Sequence, residues 1–371
     1  MPPLTVMVKP ASSLCNMRCA YCFYADVSRR RSVPSCGMMS LETLERLVRR
    51  AFAYADGQLS FVFQGGEPTL AGVGFYEALL KWQAKYNTRG IAVSNAIQTN
   101  GYDIPDRLAA LLAREGFLVG VSLDGTPEIH DRMRVGSDGL GTYAKVRRTI
   151  GELKARGAQV NILCVVNAHV ARHPREVFEA LRPDGYIQFI PCLDGFGEEA
   201  GPDSLSAPDY ARFLKETFDQ YYHSALSGAF VSVRNFDNYI SMLLGQPPEN
   251  CAMRGECAPY FLIEGDGGVY PCDFYVLDEW RLGNIRDASF ARLAASEKAA
   301  AFREVSRRVS TECLNCHWRA LCRGGCRRDR EPVIGGVPRL NRLCAAYRDF
   351  FEYAYPRMRE IAQRAQSGKL R

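Results

Sequence analysis

Six short β-like runs punctuate the first half of the chain, and helical patterns fall between them. The runs are Leu4–Val8, Leu59–Phe63, Ala92–Gln98, Phe117–Leu123, Val160–Val166 and Tyr186–Ile190. The intervening helical segments are Leu41–Ala55, capped by Ser40 and with Leu41, Leu44, Leu47 and Val48 at helical spacing, then Phe75–Tyr86, Asp106–Glu115, Tyr143–Arg156 and Pro174–Leu181. Strands separated by helices must pair in parallel through right-handed crossovers. Six units fall short of the eight that close a barrel, so the expected fold is α/β, an open partial (β/α)6 barrel. After Asp194 the pattern changes. Gly195–Asp203 reads as a loop, and Tyr210–Leu226 and Asn238–Leu244 as helices. Phe261–Glu264 and Val269–Pro271 flank Asp266-Gly267-Gly268 as a β-hairpin, and Tyr347–Arg364 reads as a closing amphipathic helix. The expected division is a barrel over 1–235 and a cysteine-rich α+β domain over 236–371.

Fourteen of the 371 residues are cysteine. With 47% hydrophobic and 24% charged residues, the chain is ordinary globular material and long enough to bury a large core without covalent staples. The first ten residues do not read as a signal peptide, and the longest apolar runs are too short to span a bilayer. The expected compartment is therefore the cytoplasm, where stable disulfides are rare and many cysteines point to metal or redox chemistry. The net charge of +6 is mild. The basic clusters Arg29–Arg31 and Lys369–Arg371 read as a solvated loop and tail, with neither a nucleic-acid nor a membrane partner expected.

Cys15, Cys19 and Cys22 form C-x3-C-x2-C directly after the first strand. One short loop can wrap three thiolates around a four-iron cluster and leave one iron open for an external chelating ligand. A zinc knuckle, or three unrelated thiols, is the alternative, although no histidine lies nearby to complete a zinc site. The second strand ends in Gln64-Gly65-Gly66-Glu67-Pro68, where glycines permit close backbone approach and Glu67 can pair with an ammonium. Together these elements resemble the radical S-adenosylmethionine superfamily. The resemblance implies that Tyr21, Gly65, Gly66, Glu67, Ser122 and Arg134 contact S-adenosylmethionine, Glu67 at its methionine amino group and Arg134 at its carboxylate, with Leu193 against the adenosine. Turn polarity and core packing are the plain alternatives for Ser122, Arg134 and Leu193.

Eight further cysteines lie between 251 and 344, enough for two four-cysteine sites, whether iron–sulfur clusters or zinc. Only Cys313 and Cys316 have the C-x2-C spacing of a zinc ribbon. The pattern resembles the twin-cluster C-terminal domain called SPASM. That resemblance implies that Cys251, Cys257, Cys272 and Cys326 hold a nearer auxiliary cluster, and Cys313, Cys316, Cys322 and Cys344 a farther one. The expected cofactors are three [4Fe-4S] clusters and S-adenosylmethionine. Cys36, Cys164 and Cys192 are left over; Cys164, in an apolar strand, reads as a small core residue.

The run from Cys272 to Asn284, with Ile162–Val166 and Gln98-Thr99-Asn100-Gly101, is similar to the anaerobic sulfatase-maturating enzymes. This resemblance implies oxidation of a cysteine or serine of a sulfatase to Cα-formylglycine by a 5′-deoxyadenosyl radical, with Asp273 as the base. The implied partners are a sulfatase polypeptide carrying Cys/Ser-x-Pro/Ala-x-Arg and an electron donor such as flavodoxin or ferredoxin. A related peptide-modifying enzyme that forms thioether crosslinks is the nearest alternative. A zinc-binding nucleic-acid module and a non-catalytic electron carrier are the alternatives from other classes.

Overall fold

The computed structural model describes residues 2–198, 200–257 and 260–368. The basic tail Lys369–Arg371 lies outside the described residues. In chain order the strands of the main sheet segments are β1 (Leu4–Val8), β2 (Gln58–Phe63), β3 (Ala92–Thr99), β4 (Leu118–Ser122), β5 (Gln159–Val166), β6 (Tyr186–Pro191), β7 (Ser232–Val233), β8 (Phe261–Ile263), β9 (Gly268–Tyr270) and β10 (Gly283–Asn284). The first six match the expected runs to within two residues at either end. The chain forms two compact units that interleave in sequence: Met1–Ser122, Met133–Val160 and Pro259–Phe302 make the first, and Leu123–Arg132, Asn161–Ala258 and Arg303–Arg371 the second.

In the first unit, β1, β2, β3 and β4 pair in parallel, with Val6 opposite Phe61 and Val8 opposite Phe63. Leu4, Val6 and Val8 alternate inward with Leu59, Phe61 and Phe63 on the neighbouring strand, and all six are buried. The helix Leu41–Tyr54 begins where the sequence places it, because Ser40 Oγ accepts a hydrogen bond from the Thr43 N–H (3.1 Å). Leu44, Leu47 and Val48 of this helix are buried, whereas Leu41, expected on the same face, is 51% exposed. It occupies the first helical position, where no neighbouring turn covers it.

The C-terminal hairpin extends this same sheet. β8 pairs in parallel with β1, with Val6 opposite Phe261 and Val8 opposite Ile263, and β9 returns antiparallel to β8. The reading of a hairpin therefore holds, and its β1 partner is added by the structure.

In the second unit β5, β6 and β7 pair in parallel, with Cys164 opposite Phe189. Cys164 is fully buried, as expected of a small core residue. The long helices Ala207–Ser227 and Cys344–Gln366 pack through Phe218 against Phe350 and Tyr210 against Tyr347, with ring centroids 5.7 and 5.8 Å apart. The last helix starts at Cys344, earlier than the expected Tyr347, and runs through Pro356. Among the described residues, no helix is long and apolar enough to cross a membrane.

Candidate active site

The cysteine triad sits on the loop that leaves β1, and backbone contacts from three directions fix that loop. The Glu67 N–H donates to the Leu14 carbonyl (2.8 Å), and the N–H groups of Arg18 and Ala20 donate to the carbonyls of Val135 and Met133 (2.8 and 2.9 Å). The Asn100 amide donates to Asn16 Oδ1 (2.8 Å) and to Cys15 Sγ (3.6 Å). Cys22 then occupies the N-cap position of a seven-residue helix, Phe23–Arg29, that the sequence reading missed. The protein packed around Cys15 pushes its thiol up to about 11, the Met17 N–H opposes this, and the nearby Glu67, Cys19 and Cys22 reinforce it. Crowded thiols of this kind ionise when a bound cationic centre supplies the compensating charge.

The Gly-Gly pair after β2 is held in left-handed backbone, with φ of +94° at Gly65 and +57° at Gly66. The close approach that it permits is made by the chain itself. A Cβ at 65 would lie 2.6 Å from Lys9 Cε, and one at 66 would overlap the Leu14 carbonyl oxygen. An alanine at 66 is expected to cost about 1–3 kcal/mol from backbone strain alone. It also displaces the residue that precedes Cys15, so a lower denaturation midpoint and reduced iron uptake in anaerobic reconstitution are expected. Wild-type values of both would refute this role.

Glu67 is 1% exposed, and its carboxylate is ringed by donors from this chain. Oε1 accepts from the Thr69 N–H (3.0 Å), Thr69 Oγ1 (2.7 Å) and Thr99 Oγ1 (2.8 Å), and Oε2 accepts from the Asn100 N–H (2.8 Å). Burial raises its pKa and these hydrogen bonds oppose the rise. Glu67 thus ties the end of β2 to the end of β3, and through Asn100 to Cys15. Arg134 lies on the other side of the loop. Its guanidinium donates to Cys19 Sγ (3.9 Å) and stands 5.2 Å from the Tyr21 ring centroid. Ser122 is half-buried at the last position of β4. Leu193, half-buried just after β6, belongs to the second unit.

Because β8 joins β1, the segment after β9 delivers Asp273 to the same unit as the cysteine triad. Its Oδ2 accepts from Tyr24 Oη (2.7 Å) and Gln64 Nε2 (2.7 Å), while its buried Oδ1 has no hydrogen-bond partner among the described residues. Next to it, Tyr260 Oη donates to Cys272 Sγ (3.3 Å). Burial is the largest influence on Asp273 and raises its pKa; Lys9, Tyr24 and Gln64 pull it down, and Glu264 adds to the rise. Lys9 threads over Gly65 to reach Glu264 (3.3 Å), which also receives Arg31 (2.5 Å), and all three are buried. Tyr24, Gln64, Lys9 and Glu264 were not singled out in the sequence as members of this cluster. The available signal was position: Tyr24 lies two residues past Cys22, and Gln64 immediately before Gly65.

In the second unit, Cys313, Cys316 and Cys344 all lie close enough to raise the thiol pKa of Cys322, which burial pushes to about 11. The four cysteines expected to act together are thus grouped. Cys251 likewise raises Cys257. Cys326 shares their unit and Cys272 belongs to the first. Trp318 packs on the last helix, its ring 5.8 Å from Phe351 and 5.2 Å from Tyr355, in keeping with a packing role. Among the described residues, no three His, Cys, Asp or Glu side chains form a preformed cage for a single ion. The fit to iron–sulfur clusters therefore rests on the grouping of thiols on short loops, which suits ligands distributed over several irons.

The radical SAM superfamily profile matches residues 10–181, and the SPASM iron–sulfur cluster-binding domain matches 256–317. The chain is 45% identical over 366 residues to a cysteine-type anaerobic sulfatase-maturating enzyme of Clostridium perfringens, covering 98% of this chain and 99% of that one. It is 30% identical over 377 residues to a serine-type enzyme of Bacteroides thetaiotaomicron, covering 96% and 90%. The solved structure of native anSMEcpe with bound AdoMet and Cp18Cys peptide superposes with a TM-score of 0.93 at 44% identity, over 98% of this chain and all of that one.

Proposed function

The chain belongs to the anaerobic sulfatase-maturating enzymes, radical SAM enzymes with a C-terminal SPASM domain, and we propose that it oxidises one cysteine of a sulfatase polypeptide to Cα-formylglycine. The observation that carries this reading is the placement of Asp273 by the β8–β9 hairpin, beside Cys272 and held by Tyr24 and Gln64. Cysteine is the favoured target because identity is 45% to a cysteine-type relative and 30% to a serine-type one. In this reading 1–235 is the radical-generating part and 236–371 the auxiliary-cluster part, and the protein works in the cytoplasm.

Cys15, Cys19 and Cys22 hold the first of three [4Fe-4S] clusters, and the eight C-terminal cysteines hold the other two. Arg134 and Tyr21 beside Cys19, Ser122 at the end of β4, and the Gly65-Gly66-Glu67 turn form the S-adenosylmethionine contacts. Oε2 of Glu67 accepts one hydrogen bond from this chain and keeps a further lone pair for an ammonium. When bound, the first cluster and S-adenosylmethionine supply a 5′-deoxyadenosyl radical that removes one hydrogen from the target Cβ.

Asp273 then takes the thiol proton at Oδ1, its open oxygen, while Tyr24 and Gln64 keep Oδ2 occupied and the carboxylate aimed. The proton leaves one residue from Cys272, so proton and electron depart from neighbouring positions. The thioaldehyde left on the substrate hydrolyses to the aldehyde and hydrogen sulfide. The test is anaerobic reconstitution with dithionite, S-adenosylmethionine and a Cys-x-Pro-x-Arg peptide. The expected product mass is that of replacing the thiol and one hydrogen on Cβ by a carbonyl oxygen. An unchanged peptide alongside cofactor cleavage, or an internally crosslinked one, would refute the assignment.

A further inference from the structure

β6 is followed by a long loop, Cys192–Leu205, with neither helix nor strand among the described residues. Loops this long are mobile unless tied down, and those kept in compact domains are usually functional. Two arginines tie this one, both from the segment between Cys326 and Cys344 and within the same unit. The Arg342 guanidinium reaches both ends of the loop. Nη2 donates to the Cys192 carbonyl and Nη1 to the Leu205 carbonyl (3.3 Å), while Nε donates to Asp329 Oδ1 (2.9 Å). Nη1 also lies 3.8 Å from Asp194 Oδ2. The buried Arg328 donates from Nη2 to the Asp194 carbonyl (2.5 Å), and its guanidinium lies 3.7 Å from the Phe196 ring centroid.

These contacts converge on Leu193. The carbonyls of its two neighbours, Cys192 and Asp194, are each held by a different arginine, and its own carbonyl accepts from Cys192 Sγ (3.7 Å). With three successive carbonyls fixed, the rigid peptide planes joined at Leu193 have little freedom to turn, and the direction of its side chain is set. Arginine suits this task because its planar fork presents several donors in fixed directions, so one side chain can serve both ends of the loop. Asp329, itself buried, orients the fork, and the Arg342 N–H donates to the Asp329 carbonyl (2.9 Å). Ser204 Oγ donates to Asp194 Oδ1 (2.5 Å) and closes the loop on itself. A loop whose only task was to join β6 to the next helix would need no such fixation at one residue.

We propose that Arg328 and Arg342 are positioning residues for S-adenosylmethionine: by fixing the carbonyls on either side of Leu193, they hold that side chain ready for the adenosine. The inference rests on the reading that Leu193 is an adenosine contact. In this role the arginines act through the loop and not by touching the cofactor. A loop already fixed in its binding shape spares the binding step the cost of ordering it. Loss of either arginine therefore weakens affinity for S-adenosylmethionine while leaving every contacting side chain in place. The segment between Cys326 and Cys344 thus has a task of its own beside carrying cysteines.

The test uses the reconstituted holoenzyme and four variants. Arg342→Lys keeps a cation opposite Asp329 but presents its donors from one nitrogen instead of three. Arg328→Gln leaves the Arg342–Asp329 pair intact, and Leu193→Ala removes the adenosine contact itself. Arg357→Lys is the comparison for a purely structural arginine, since Arg357 pairs with Asp219 (2.7 Å) between the two long helices. Binding of S-adenosylmethionine is measured by anaerobic equilibrium dialysis, with iron counted per chain. Arg342→Lys and Arg328→Gln are each expected to raise the Kd about tenfold or more at wild-type iron content. The KM for S-adenosylmethionine rises with it, while the KM for the peptide does not. Leu193→Ala is expected to weaken binding about tenfold as well, and Arg357→Lys to bind as the wild type does. Wild-type affinity in both loop variants, or an equal loss in Arg357→Lys, overturns the proposal. So does loss of iron from both loop variants, which would make the arginines guardians of the clusters instead. Wild-type affinity in Leu193→Ala overturns the adenosine contact on which the inference rests.

Discussion

Asp273→Asn is expected to lower formylglycine formation by about 10²–10⁴-fold, the usual contribution of a general base, while 5′-deoxyadenosine release continues. The substitution keeps the shape of the side chain. Its carbonyl can still accept from Tyr24 and Gln64, which now bond to Oδ2 at 2.7 Å each. The change falls on the other atom: the unpartnered Oδ1 of the carboxylate becomes an NH₂ group, a donor where the thiol proton needs an acceptor. In the proposed mechanism cofactor cleavage draws on the cysteine triad and does not require this proton transfer, so the two products should separate. Their ratio, read by mass spectrometry of the peptide and chromatography of the nucleoside, is the measurement. Formylglycine at near wild-type rates would remove Asp273 from the mechanism.

The second large effect is on stability. Glu264 is fully buried and is the shared carboxylate of Lys9 and Arg31, whose side chains are 2% and 3% exposed. Glu264→Ala leaves two buried cations without it and is expected to cost about 3–5 kcal/mol, seen as a lower midpoint in denaturant titration at unchanged slope. Adding Lys9→Met to this variant should recover part of the loss, because one of the stranded charges is removed. A midpoint equal to that of the wild type would show that the network contributes nothing.

Burial alone would raise the Glu264 pKa, but Lys9 and Arg31 outweigh it and hold the carboxyl below the ordinary glutamate value. Its folded pKa therefore lies below the unfolded one of about 4.3. Its stabilising contribution is full above that value and is lost as pH falls through the lower folded pKa. Acid unfolding of the wild type should reflect this in the acidic range, and the alanine variant should lose that part of the pH dependence.

What could be read from the sequence was whatever depends on neighbours along the chain. The cap at Ser40, the six strand runs and the hairpin at Asp266-Gly267-Gly268 are all local patterns, and each has its expected counterpart in the structure. Contacts between distant segments were not legible. Nothing in the hairpin says that its strand pairs with β1, more than 250 residues away, because backbone pairing is indifferent to side-chain identity. The partners of Glu67 come from Thr99 and Asn100, and the partners of Asp273 from Tyr24 and Gln64, across strand ends that pattern reading cannot align. The glycines at 65 and 66 were recognised as places of close approach, but the occupants, Lys9 and Leu14, follow from how one loop crosses another.

The pairing of β8 with β1 also bears on how the two parts of the sequence became inseparable. Without the hairpin, β1 would present a row of unpaired N–H and C=O groups on a flat, apolar parallel edge, a template for self-association. The segment that brings Asp273 also seals that edge, so the proposed base and the protection from aggregation come from one strand addition. A chain ending at residue 235 would lose both at once.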